Sequence, residues 1–224
     1  MRFAISVMAS LVVMASPAIA ADNGFYVGAS VGQASYDISR GEIDDFVLEL
    51  FDLAGFPVVV GSSDLDDSDT AFSALVGYRF MPYLAVEAAW LDVGEASYTA
   101  DGTVDAGAAG LIDARLSLGW SSSGPALSVL GIWPITEQWE IFGRAGVFFA
   151  DTELEFGLSS EGVSAGESTS NSTEEFIGGV GVNFNFLESW TARLEYQMIP
   201  DLGDDEETGE ADVDVISLGV LFQF

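Results

Sequence analysis

Along most of the chain, apolar and polar residues alternate one by one, in segments separated by runs of Asp, Glu, Ser and Gly. A period of two puts successive side chains on opposite faces of a strand. Eight segments carry it: 24–37, 70–81, 83–99, 125–135, 138–155, 174–187, 190–200 and 213–224. In the first, Phe25, Val27, Ala29 and Val31 share one face, and Tyr26, Gly28, Ser30 and Gly32 the other. In the second, Phe72, Ala74, Val76, Tyr78 and Phe80 lie opposite Arg79. In the fifth, Ile141, Ala145, Val147 and Phe149 lie opposite Glu140 and Arg144. In the seventh, Ala192, Leu194, Tyr196 and Met198 lie opposite Arg193, Glu195 and Gln197. The fourth strand has the least defined boundaries. Residues 114–120 read either as its extension or as part of a ten-stranded arrangement.

The connections alternate as well. Those at Pro82, Thr136-Glu137 and Glu188-Ser189 are very short, while 38–69, 100–113, 157–173 and 201–212 are long and acidic. Short turns at one end and long loops at the other are the pattern of an up-and-down barrel in a bacterial outer membrane. Bulk decides which face is outward. One row collects Phe, Val, Leu, Trp and Tyr, the other Gly, Ser, Asn, Gln, Glu and Arg. An eight-stranded barrel has little interior room, so the large apolar row is expected to face lipid and the small polar row the lumen. Closure also satisfies every backbone group within hydrocarbon. Tyr83, Trp133, Trp139, Trp190, Phe222 and Phe224 are expected to form an interfacial girdle on the short-turn, periplasmic side. The predicted fold is all-β, an eight-stranded antiparallel up-and-down transmembrane β-barrel.

Residues 1–20 break the pattern. Arg2 precedes an apolar run from Phe3 to Ala15, shorter than the roughly 20 residues of a helical span. Ala18-Ile19-Ala20 has the small-x-small form cut by signal peptidase. The expected organisation is a cleaved signal peptide at 1–20 and one barrel domain at 21–224.

Composition then narrows the chemistry. The 224 residues hold 36 Asp and Glu against 6 Arg and Lys, a formal charge of −30, yet 49% are hydrophobic. Acid and oil must therefore be segregated along the chain. Nucleic acid is excluded as a partner, because binding phosphates needs a basic surface. There is no Cys and no His, which removes thiol chemistry and Ser-His mechanisms. No cofactor is implied, and the chain is not expected to be an enzyme.

Three constellations stand out. Arg79, Arg144 and Arg193 share the inward rows with Glu87, Glu140 and Glu195. Buried charges must pair, so the simplest reading is a salt-bridged plug, and the sharper one a gated ion path. Asp64, Asp66, Asp67 and Asp69, and Asp204, Asp205, Glu206 and Glu207, are weak calcium candidates. They depart from EF-hand spacing, and a solvated acidic surface explains them more simply. Residues 46–53 are apolar enough for a short helix on the barrel rim or on lipid.

The last eight residues, Ser217-Leu218-Gly219-Val220-Leu221-Phe222-Gln223-Phe224, have the form polar, x, Gly, x, x, aromatic, x, aromatic. This resembles the terminal signal of outer-membrane proteins. The resemblance implies that Ser217, Gly219, Phe222 and Phe224 are read by the barrel-assembly machinery. Further stretches resemble the OmpA-like transmembrane domain: Gly24-Phe25-Tyr26-Val27-Gly28-Ala29, Pro82-Tyr83 leading to Val86-Glu87, Trp133-Pro134-Ile135-Thr136, Phe142-Gly143-Arg144-Ala145-Gly146 and Ala192-Arg193-Leu194-Glu195-Tyr196-Gln197. They cover nearly all strands and none of the long loops. The family's fold is an eight-stranded barrel, in accord with the alternation. A lysine of its ion-pair gating scheme falls at Leu130 here, so that scheme is not carried over. No stretch resembling its peptidoglycan-binding domain follows Phe224, so a barrel alone is expected. The expected function is structural and surface-interacting, with the barrel anchoring long acidic extracellular loops. The alternative is a low-conductance, cation-preferring pore. Outer-membrane lipid, the assembly machinery and divalent cations at the loops are the expected partners of a monomer.

Overall fold

Period-two alternation gives strands, and the computed structural model, which describes residues 23–107, 110–160, 163–204 and 209–224, contains ten elements. They are β1 (Gly24–Tyr36), α1 (Arg40–Leu53), β2 (Val58–Asp66), β3 (Ser68–Met81), β4 (Leu84–Asp105), β5 (Leu111–Pro134), β6 (Trp139–Ser160), β7 (Val163–Leu187), β8 (Trp190–Asp204) and β9 (Gly209–Gln223). The expected signal peptide at 1–20 lies outside the described residues. No described helix is long and apolar enough to cross a membrane.

The strands close into a ring. β1 pairs with β3 and β9, and β4 pairs with both β3 and β5, every pairing being antiparallel. β2 adds no ninth stave. β3 runs along β4 from Met81 opposite Leu84 to Phe72 opposite Asp92, and β2 continues along it from Asp66 opposite Ser97 to Val58 opposite Val104. The two are one stave broken at Asp67, so the barrel has eight. The ten-stranded alternative is overturned. Residues 114–120 belong to one continuous β5, paired with β4 on one side and β6 on the other.

The long connections are mostly not loops. β4 and β5 stay paired out to Asp105 opposite Leu111, β6 and β7 to Ser160 opposite Val163, and β8 and β9 to Asp204 opposite Gly209. The segment 38–69 holds α1 and β2. Outside the membrane both faces are wet, so the apolar period fades. The backbone groups still need partners, and a ladder begun in the barrel supplies them. β5 has 24 residues and β7 has 25, more than twice the roughly 9–11 that a tilted spanning strand needs. Much of their length therefore stands beyond the bilayer.

A bulge in β4 marks the transition. The register shifts between Asp92 and Glu95, where Gly94 takes φ +76, a conformation suited to glycine. Tyr36 Oη donates to the carbonyls of Val93 and Gly94 at 2.8 and 3.0 Å, and Glu95 N donates to Asp69 Oδ2 at 3.0 Å. The extra residue keeps Ala96, Tyr98 and Ala100 on the face that Leu91 and Val93 occupy below it.

The outer face is apolar across the span, with Phe25, Val76, Trp90, Leu127, Val129, Ile141, Val180, Leu194 and Leu218 exposed. Asp212 and Asp214 point outward on β9 above Ile216 and mark where this face ends. At the short-turn end Trp139 stacks on Phe184 at 4.6 Å, and Phe222 lies between Trp190 at 5.0 Å and Phe224 at 5.1 Å.

Candidate functional site

The inward parity of β3, β4, β6 and β8 brings the six singled-out charges into one lumen layer. Arg144 Nη2 lies 2.6 Å from Glu87 Oε2, and its Nε lies 2.5 Å from Glu195 Oε1. Arg193 Nη1 donates to Glu87 Oε1 at 2.8 Å, and its Nε donates to Asn183 Oδ1 at 3.1 Å. Asn183 Nδ2 donates to Glu140 Oε2 at 3.2 Å, and Glu140 Oε1 pairs with Arg79 Nη2 at 2.8 Å. The chain of contacts thus runs from Arg79 through Glu140, Asn183, Arg193, Glu87 and Arg144 to Glu195. Three positive and three negative groups cancel, and each has its counterion in reach. Tyr26 Oη adds a donor to Glu87 at 2.7 Å, and the Arg193 guanidinium lies 4.6 Å from the centre of the Phe142 ring. Asn183 and Tyr26 are members the charge pattern alone did not single out.

Small residues make the room. Tyr26 lies across Gly77, its direct partner on β3, and Phe142 lies across Gly181 on β7. A Cβ at either glycine would overlap the ring.

The lumen is not polar throughout, contrary to the expectation from residue type. Interleaved with the charges sit Tyr26, Ala85, Leu130, Ile132, Phe142 and Leu221, Phe142 standing between Glu140 and Arg144 on β6 and Leu130 opposite Arg144. Above the charged layer, Leu91, Val93, Phe148, Ile177, Ile199, Leu202, Val213 and Val215 form a larger buried cluster with Tyr36, against which Trp120 packs. Phe148, Ile199 and Leu202 have no exposed surface. The ion pairs therefore lie beneath one apolar layer and among the residues of a second cluster. The sequence carries a signal of this in the unbroken run Val147-Phe148-Phe149-Ala150 and in Asp212-Val213-Asp214-Val215, where the apolar residues are the inward ones.

The C-terminal residues alternate faces. Ser217 is buried, Gly219 sits opposite Arg193 and Ser30, and Phe222 and Phe224 belong to the aromatic girdle. The acidic candidates among the described residues do not converge. Asp64 and Asp66 lie on β2, and Asp67 marks its break from β3. Asp69 is engaged by the backbone of Thr70 and Glu95, while Asp205, Glu206 and Glu207 fall outside the described residues. Among the described residues no three Asp, Glu, His or Cys are grouped to hold a metal ion.

The helix expected at 46–53 starts earlier, at Arg40, and packs on protein. Val47 is buried with Tyr98 and Leu116, flanked by Ile43, Phe51, Leu65, Ala100 and Leu118. Its apolar residues recur every four positions, which matches the helical period, and Gly55 at φ +83 ends it. Tyr98 Oη donates to Asp44 Oδ1 at 2.7 Å. Burial, with the Asp44 carboxylate beside it, pushes the Tyr98 phenol up to about 12. Hydrogen bonds from Ser63 and Tyr98 hold Asp44 below the usual carboxylate range.

The sequence model of the OmpA-like transmembrane domain matches residues 20–224. Outer membrane protein A of Serratia marcescens is 26% identical over 228 residues, covering 100% of this chain and 56% of the relative. That of Klebsiella pneumoniae is 30% identical over 152 residues, covering 67% of this chain and 40% of the relative. The chain spans about half the length of the curated relatives it matches. Among solved structures, the N-terminal β-barrel domain of Pseudomonas aeruginosa OprF aligns with TM-score 0.45 at 10% identity, over 90% of this chain and 99% of that one. The attachment invasion locus protein Ail of Yersinia pestis aligns with TM-score 0.39 at 15% identity, over 90% and 97%.

Proposed function

From the premise that this chain belongs to the OmpA-like transmembrane domain family and sits in the outer membrane, we propose that it is a sealed anchor presenting an acidic, strand-built surface outside the cell. The observation that carries this reading is the apolar layer of Phe148, Ile177, Ile199, Leu202 and Val213 across the lumen, above a neutral ion-pair network. Water and ions crossing that layer would lose their hydration without any polar replacement, so an eight-stranded barrel filled in this way does not conduct. The short turns at Pro82, Thr136 and Ser189 then face the periplasm, and the extensions of β2 and β4–β7, with α1, face outward. Lipid covers the apolar face, and the assembly machinery reads Ser217, Gly219, Phe222 and Phe224. With neither His nor Cys in the chain, catalysis is not part of this reading.

The test is conductance of the refolded chain, residues 21–224, in a planar bilayer. A barrel that resists unfolding in a cold gel and stays electrically silent supports the anchor. Reproducible cation-selective steps, abolished by a charge change at Arg144 or Glu87, would replace it with the pore.

A further inference from the structure

Outside the membrane, α1 rests on the face of β2, β4 and β5 that is continuous with the lumen. Its Ile43, Val47 and Phe51 meet Leu65, Tyr98 and Leu116. Beside that contact the packing stops. Gly61, Gly102 and Ala114 pair in that order across β2, β4 and β5, so this row raises nothing taller than a methyl group. The helix stays at the height that Tyr98 and Leu116 set. The gap between them is a cavity of about 320 Å³. Packed interiors leave few voids larger than a water molecule, and small-molecule sites begin at roughly 300 Å³.

The walls state the chemistry. Val47, Leu48, Phe51, Val58, Val104 and Leu116 supply the apolar lining, and Val59 and Val60 extend it, 57% and 69% exposed. The carboxylate on the wall is Asp44. Asp101 meets the cavity with its backbone, since its side chain points to the opposite face of β4 and pairs there with Arg115. The partner of Asp44, Arg40, is not on the wall. Arg40 stands 3.9 Å from Asp44 with its side chain 57% exposed, so water screens the pair.

We propose that this cavity is a binding site for a small organic cation with an apolar body, such as an aromatic amine. The ring lies between Phe51, Val47 and Leu116, and the ammonium group faces Asp44. An anion of the same shape meets the Asp44 carboxylate on a chain of formal charge −30. The site does not depend on whether the lumen conducts.

Three probes share one ring and differ in charge: tryptamine, indole and indole-3-acetate. Each is titrated by calorimetry and by NMR into the refolded chain in lipid nanodiscs. Tryptamine is expected to saturate, indole to bind at least about ten-fold more weakly, and indole-3-acetate not to bind at millimolar concentration. Asp44→Asn is expected to erase the preference for tryptamine over indole, and Asp101→Asn, on the opposite face of β4, to leave it unchanged. Ala114→Phe fills the cavity from its floor and is expected to abolish binding, with gel mobility and strand content reporting an intact barrel. Gly61→Ala is the milder filler, since its Cβ would meet Val58 Cγ1 at 3.4 Å, and it is expected to weaken tryptamine several-fold. The proposal is overturned if tryptamine does not saturate, if indole-3-acetate binds as well, or if tryptamine binding is indifferent to both fillers.

Discussion

Arg144 Nη2 lies 2.6 Å from Glu87 Oε2, and the two side chains are 3% and 0% exposed. Arg193 reaches the other oxygen of the same carboxylate. Removing one partner of a buried pair leaves an uncompensated charge, at a cost of about 3–5 kcal/mol. Glu87→Ala is therefore expected to lower the stability of the refolded barrel by that order, measured by urea unfolding in vesicles. Pairing it with Arg144→Ala should recover part of the loss. A loss under about 1 kcal/mol, typical of solvated pairs, would show that the network does not brace the barrel.

The apolar layer and the ion pairs make separable contributions to closure. Glu87→Ala alone is expected to leave the barrel silent, because Phe148, Ile177 and Ile199 still fill the lumen above it. Phe148→Ser with Ile199→Ser is expected to admit water and give measurable conductance. Steps from Glu87→Ala alone would assign closure to the salt bridges instead.

Alkali is expected to loosen α1. The Tyr98 phenol ordinarily ionises near 10.0 and is raised to about 12 in the folded chain. A raised acid contributes stability that is complete below the unfolded value and lost as pH climbs through the folded one. Helix contacts to β4 should therefore weaken between about pH 10 and about pH 12. Amide exchange of α1 reads this directly, and Tyr98→Phe should remove the transition while leaving the barrel unchanged.

Gly77→Val is expected to block folding or to expel the Tyr26 ring, since the added side chain takes the space that ring occupies. Tyr26→Phe, which keeps the ring and loses only the 2.7 Å bond to Glu87, should cost about 1–3 kcal/mol. The contrast between the two variants separates steric room from hydrogen bonding.

Because the chain has no Cys, single-cysteine variants report its orientation cleanly. Ser168→Cys, on the outer part of β7, is expected to react with an impermeant maleimide on intact cells. Ser189→Cys, in the turn before β8, is expected to react only after lysis. The reverse pattern would invert the proposed orientation.

Where residue type and alternation agree, the strands are legible from the chain alone. The lipid-facing residues of β6 and β8, and the inward Arg144, Arg193 and Glu195, stand where their parity puts them. The signal fails where both faces share one solvent. The outer half of β7, rich in Ser, Thr and Glu, reads as a loop yet pairs with β6 over its length. It fails again where both faces are apolar, as around Phe148 and Phe149, whose inward residues close the lumen.

Alternation by itself determined the faces of the staves and the ends where turns lie, because lipid on one side and a narrow lumen on the other impose a period of two on local sequence. That residues 114–120 extend β5 and add no further stave is decided by pairing. Tertiary structure alone decided which charges meet, what seals the lumen and where a cavity opens. Glu87 touches Arg193, 106 residues away, and the floor under α1 combines Gly61, Gly102 and Ala114 from three strands. Such contacts follow from cross-strand register and ring closure, and no local period encodes them.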